Sequence, residues 1–139
     1  MKLNVLFSVY AVVQVISCVL YLVFPAFSMR LYSDGATADP QAIMLFRLVG
    51  ALCGGLAVMA WLGRNAEPSG SRDAMVHGLM VSNGLAAVVT AWAAVSGVYN
   101  QFAWGPFVTC VLFAIGFLLL GPGLSASAPK RGLGNGSVG

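Results

Sequence analysis

The sequence predicts an all-α fold, an integral membrane four-helix bundle with both termini on the same, cytoplasmic side. Three observations carry this prediction. First, 59% of the 139 residues are hydrophobic and 8% are charged, with a mean hydropathy of +0.88, whereas soluble domains carry roughly 25% charged residues. Second, the apolar residues gather in four runs, each near the about 20 residues that cross a hydrocarbon core of about 30 Å. Third, each run is continuous rather than alternating polar with apolar, which excludes barrel strands and leaves helices.

The first run, residues 3–24, carries Ser, Gln and Cys as polar interruptions and stops at Pro25. Lys2 followed by an apolar stretch has the look of a secretory signal, and Val15-Ile16-Ser17-Cys18 fits the loose pattern before a lipidated cysteine. The apolar run continues through VLYLVF after Cys18, where a processed protein turns polar, so a retained first helix is expected. The second helix is expected over about residues 40–62, because Asp39-Pro40 reads as an N-cap followed by proline at the first helical position. The third is expected at about 75–98 and the fourth at about 105–120, before Gly121 and Pro122. A transmembrane domain over 1–122 is then followed by GLSASAPKRGLGNGSVG, residues 123–139, whose composition predicts a disordered cytoplasmic tail. The glycosylation pattern Asn135-Gly136-Ser137 carries no meaning on that side.

Charge sets the orientation. Lys2, Arg64, Arg72, Lys130 and Arg131 fall on one side of four helices, while the opposite side has Arg30, Asp34, Asp39 and the uncharged connection NQFAW. The excess of Lys and Arg in cytoplasmic segments places both termini inside. Tyr21, Tyr32, Tyr99 and Trp104 then gather at the outer interface, with Trp61 and Arg64 at the inner one, as amphipathic anchors. Trp92 lies deeper and reads as a packing residue.

Arg47 is the one charge inside an apolar run. It lies seven residues beyond Pro40, so about 10 Å along the helix at 1.5 Å per residue. Side chains lean toward a helix N-terminus, so the guanidinium can snorkel to the outer headgroups and escape much of the roughly 2.5–3.5 kcal/mol cost of the membrane centre. Yet Arg47, Gly50, Ala51 and Gly54 recur at helical spacing, which puts the charge on a stripe that should meet other helices. Anchoring is the preferred reading. The binding alternative joins Arg47 with Arg30, Tyr21, Ser96 and Tyr99 around an anionic group.

Gly50 with Gly54, Ala51 with Gly55, and Ala86, Thr90 and Ala94 make small-residue faces on the second and third helices, expected to bring those two helices together within the chain or to form a dimer seam. Gln14, Ser17, Ser82, Asn83 and Thr90 are expected to act as interhelical glue. His77 stands alone, and Cys18, Cys53 and Cys110 occur singly on three helices, so no metal site, cofactor site or disulfide framework is expected. Phosphate loops, paired intramembrane carboxylates and nucleophile motifs are missing, so no catalytic residue is assigned. The scattered basic residues argue against nucleic acid despite the net charge of +3.

The Phe-Pro end of the first helix, the short polar loop through Asp-Pro, and the Arg47-x-x-Gly50-Ala51 opening of the second resemble small four-helix bacterial inner-membrane proteins grouped as domains of unknown function, in layout over roughly residues 1–122. The resemblance implies a compact inner-membrane bundle and brings no activity with it. Two functions remain: a noncatalytic subunit or scaffold for other membrane components, partnered by the bilayer and by another membrane protein or a second copy; or an outer-leaflet binder of an anionic lipid or isoprenoid headgroup at Arg47.

Overall fold

The computed structural model describes residues 2–34 and 39–121, so the expected tail lies outside the described residues. Among the described residues the chain has five α-helices and no strand: α1 (Lys2–Val23), α2 (Pro25–Tyr32), α3 (Pro40–Gly63), α4 (Gly70–Val95) and α5 (Trp104–Leu120), the last entered through a 3-10 turn, Gln101–Ala103. Four spans are long and apolar enough to cross a membrane: α1, α3, α4, and the turn together with α5.

Pro25 corrects the sequence reading. It stops α1 as expected, but it also opens α2, where a loop was expected. At the first helical position the missing proline N–H has no partner to lose, and Phe24, at φ −119° and ψ 50°, makes the bend between the two helices. Buried Ser28 ties α2 back, its hydroxyl lying 3.1 Å from the Leu20 carbonyl and 3.2 Å from that of Phe24.

The α4 helix starts five residues ahead of its apolar run, because Ser69 Oγ accepts the Arg72 N–H at 3.3 Å and Asp73 places a negative charge in the first turn. It stops at Val95, short of the expected end. Gly97 turns left-handed at φ +74°, which lets the Tyr99 N–H reach the Ala93 carbonyl at 3.1 Å. At the head of α3, Asp39 Oδ2 accepts from the Ala42 N–H at 3.3 Å, ahead of Pro40.

The helices pack as two antiparallel pairs, α1 with α3 and α4 with α5. This overturns the expected use of those glycines between the second and third apolar helices: Gly50 and Gly54 face α1, while α3 and α4 come together toward one end, at Gly63 beside Met75 and where Ala60 shares the buried core with Val76 and Leu79. A Cβ at Gly50 would stand 2.7 Å from the Leu22 backbone nitrogen, so only glycine permits that approach. At Gly54 the neighbour is Cys18 Sγ. Ala51 and Gly55 are exposed, and nothing lies within 4 Å of a Cβ at Gly55.

The pairs join near one end through an aromatic seam. Phe7 and Tyr10 of α1 meet Phe113 and Phe117 of α5 edge to face, with ring centroids 4.8–5.5 Å apart, over Ala11, Ala60, Val76 and Leu79. Elsewhere the helices turn apolar side chains outward: Trp92 and Val95 are 76% and 77% exposed. Within the most apolar stretch of each span only 11–17% of residues are buried, so the fold alone does not cover these surfaces.

Ala at Gly50 and Ala at Gly55 are expected to act in opposite directions. Both gain about 1 kcal/mol of helix propensity. At Gly50 the added methyl meets immobile backbone, and overpacking of about 1–3 kcal/mol, at its upper end here, outweighs that gain. Gly50→Ala should lower the thermal midpoint in mild detergent and Gly55→Ala should hold or raise it; the reverse order would contradict the α1–α3 contact.

Candidate functional site

Away from the seam the two pairs diverge and leave a cavity of about 580 Å³, within the usual range for small-molecule pockets. Its walls are Ala42, Leu45, Phe46 and Val49 of α3, facing Ala86, Val89 and Thr90 of α4. Val98, Tyr99, Ala103 and Pro106 close one side, and Tyr21, Met29, Tyr32 and Ser33 form the remaining wall. Leu45 and Val89 line the space yet are 62% and 67% exposed, so the mouth opens sideways between α3 and α4. Val49 lies nine residues into α3, about 14 Å from its start, so the cavity reaches well into the apolar part of the helix.

Aromatic side chains hold its polar end. Tyr21 and Tyr32 share a hydrogen bond between hydroxyls, 3.1 Å apart. Tyr21 packs edge to face on Phe46 at 5.8 Å, and Tyr32 lies beside Tyr99 at 5.9 Å. Asn100 latches the connection after α4 onto α2: its backbone N–H donates to the Tyr32 carbonyl at 2.7 Å, and Nδ2 donates to the Leu31 carbonyl at 3.1 Å and to Asp34 Oδ1 at 3.0 Å. Its Oδ1 accepts from the Phe102 N–H at 3.0 Å, starting the 3-10 turn that leads into α5.

The five residues grouped around an anionic ligand from sequence are separated by this arrangement. Tyr21 and Tyr99 line the cavity, whereas Arg30, Arg47 and Ser96 are exposed and lie outside its lining. Arg47 is roughly 60° around α3 from buried Gly50, counting 3.6 residues per turn, which leaves it exposed at the edge of the face that meets α1. On α4, exposed Ala86 and half-buried Thr90 do not bring α3 close; their small side chains widen the cavity instead. Ala94 is half-buried outside it.

Most of the expected glue also stays within its own helix. Ser17 bonds the Val13 carbonyl, Ser82 that of Leu79 and Thr90 that of Ala86, because a hydroxyl reaches back one turn more readily than across to a neighbour. Asn83 does cross: buried, it donates from Nδ2 to Tyr10 Oη at 3.2 Å and to the Leu79 carbonyl at 2.7 Å. Arg72, read from the sequence only as an orienting charge, makes a second link between the pairs with Asn4, its Nη2 donating to Asn4 Oδ1 at 2.6 Å. The Arg72 guanidinium lies 5.8 Å from the Phe7 ring, and its Nε is buried with no partner among the described residues. At the same end Arg64 stacks on Trp61 at 3.3 Å.

His77 Nδ1 lies 2.7 Å from the Asp73 carbonyl one turn back. The three cysteines are unbonded and half-buried, and no cluster of metal-ligating side chains occurs among the described residues. The signal for Asn100 was available, since Asn ahead of a short turn is a capping residue. Nothing in the sequence marked Tyr21 and Tyr32 as a pair, because α2 was read as loop.

A family model described as "Domain of unknown function (DUF8292)" matches residues 1–121. No curated protein and no solved structure matches the chain.

Asn100→Ala removes the side-chain bonds of the latch at a cost of about 1–3 kcal/mol. Amide hydrogen exchange should speed up at Phe102 and through α2 while staying unchanged at Phe113 in the seam. Unchanged exchange at Phe102 and in α2 would mean that the latch holds nothing.

Proposed function

The chain belongs to that family of unknown function over residues 1–121, and we propose that it is a noncatalytic multi-pass membrane protein that holds a lipid-like molecule in the cavity between its helix pairs. The observation that carries this reading is the sideways mouth: exposed apolar Leu45 and Val89 lead inward to a tyrosine-bearing end. A ligand whose chain is already in the hydrocarbon enters such a site without crossing water. Four spans long and apolar enough to cross a membrane, with little of each covered by the fold, support insertion.

In the proposed orientation the protein lies in a bacterial inner membrane with both termini cytoplasmic. Arg64 and Arg72 sit beyond the seam, at the opposite end from Tyr21, Tyr32 and Tyr99, and the Lys and Arg pattern supports an outer-leaflet cavity. Reporters fused after Gly139 and after Gly70 should read inside and one near Gly35 outside; an outside signal at Gly139 would overturn the orientation.

A second reading, a subunit or scaffold for another membrane protein, is favoured by a separate apolar groove along α4 and α5, where Val88, Trp92 and Val95 flank Phe107 and Ile115. One preparation distinguishes the two. Native mass spectrometry from mild detergent should find wild-type protein with retained lipid, and Ala86→Trp, which fills the cavity, should lose most of it at equal folded yield. Full retention in both Ala86→Trp and Val49→Trp would exclude the cavity, and a stoichiometric copurifying protein without lipid would favour the subunit.

A further inference from the structure

We propose that the cavity selects an uncharged amphiphile whose head offers a hydrogen-bond-accepting oxygen, an ester or carbonyl, and rejects anionic heads; this rests on reading the cavity as a binding site. Tyr21 and Tyr32 have two hydroxyl protons between them and one mutual hydrogen bond, 3.1 Å long. Whichever hydroxyl donates, the other keeps a proton with no acceptor among the described residues, at the wall of an apolar space. A half-buried donor at such a wall gains by meeting an acceptor on the ligand. The neighbouring Thr90 hydroxyl spends its proton on the Ala86 carbonyl at 2.7 Å.

Charge argues in the same direction. Among the described residues no acidic or basic side chain lines the cavity, and both Arg30 and Arg47 are exposed outside it. An anionic head drawn inside would lose its hydration with no cation to replace it, a penalty that a single phenolic hydrogen bond does not offset. The edge-to-face contact of Tyr21 with Phe46, at 5.8 Å, and the packing of Tyr32 beside Tyr99, at 5.9 Å, limit how far the hydroxyl pair can swing away.

The test uses three photoreactive probes with the same diazirine-bearing chain: a monoacylglycerol, a fatty acid and an alkane. The full-length protein in neutral-lipid nanodiscs is irradiated with each at about pH 10, where the fatty acid stays ionised despite the rise that a bilayer imposes on a carboxyl, and adducts are located by peptide mass spectrometry. Monoacylglycerol should label Leu45, Val49 and Val89 at least about fivefold more than the fatty acid does. Tyr21→Phe and Tyr32→Phe should each keep that preference, because one hydroxyl remains and is freed of its partner. The double variant should fall to the level of the alkane, whose own labelling should not change and so reports an intact cavity. Equal or stronger labelling by the fatty acid, or an unaltered double variant, would overturn the head-group selectivity and leave the cavity standing. Absence of labelling at all three positions by every probe would overturn both.

Discussion

Edge-to-face packing of Tyr10 on Phe113 and Phe117, with Phe7 against Phe117, is the contact on which the two helix pairs depend. Such aromatic pairs contribute about 0.5–1.5 kcal/mol each beyond simple burial, and here they act together where little else joins the pairs. Buried Asn83 fixes the Tyr10 hydroxyl, and Arg72 with Asn4 adds a link about one turn before Phe7, at the start of α1. All of these lie toward one end. The other end is left to separate, and the cavity is the space that results. The latch of Asn100 onto α2 bounds that space without filling it.

The long helices were legible because a continuous apolar run of membrane length admits few structures, and Asp39-Pro40 and the charges between runs marked boundaries. The pairing was not legible. Gly50 and Gly54 advertise a close helix contact but say nothing about which helix supplies it, and the sequence order suggested the wrong one. Backbone geometry decides: after Pro25 the chain folds through α2 and returns as α3 antiparallel to α1, which sets Gly50 against Leu22. Pro25 itself was ambiguous, since proline ends one helix and begins another with equal ease.

Arg47 shows the same limit at the site. A charge in an apolar run draws attention, and its spacing with Gly50 and Gly54 suggested an inward face. That stripe does meet α1 at Gly50 and Gly54, but the buried face is centred beyond Gly50, toward Ala57 and Ala60, which leaves Arg47 at its edge, exposed. In the proposed membrane its long stem suits the role of a snorkelling anchor. The cavity depends instead on residues of ordinary appearance: Tyr32 on a helix that reads as loop, Ala86 and Thr90 on a face that reads as a contact, and Phe46 beside the conspicuous arginine. A space between helices is a property of divergence, and divergence has no single-residue signature.

The central claim is that the helix pairs close at the aromatic seam and part between α3 and α4. An experimental density map of the protein in lipid tests it most directly. The account predicts tight density around Tyr10, Phe113 and Phe117 and an elongated non-protein feature bordered by Tyr21, Phe46 and Val89, open toward the bilayer. Side-chain contact between α3 and α4 along Leu45, Val49 and Val89, with no space between them, would contradict it.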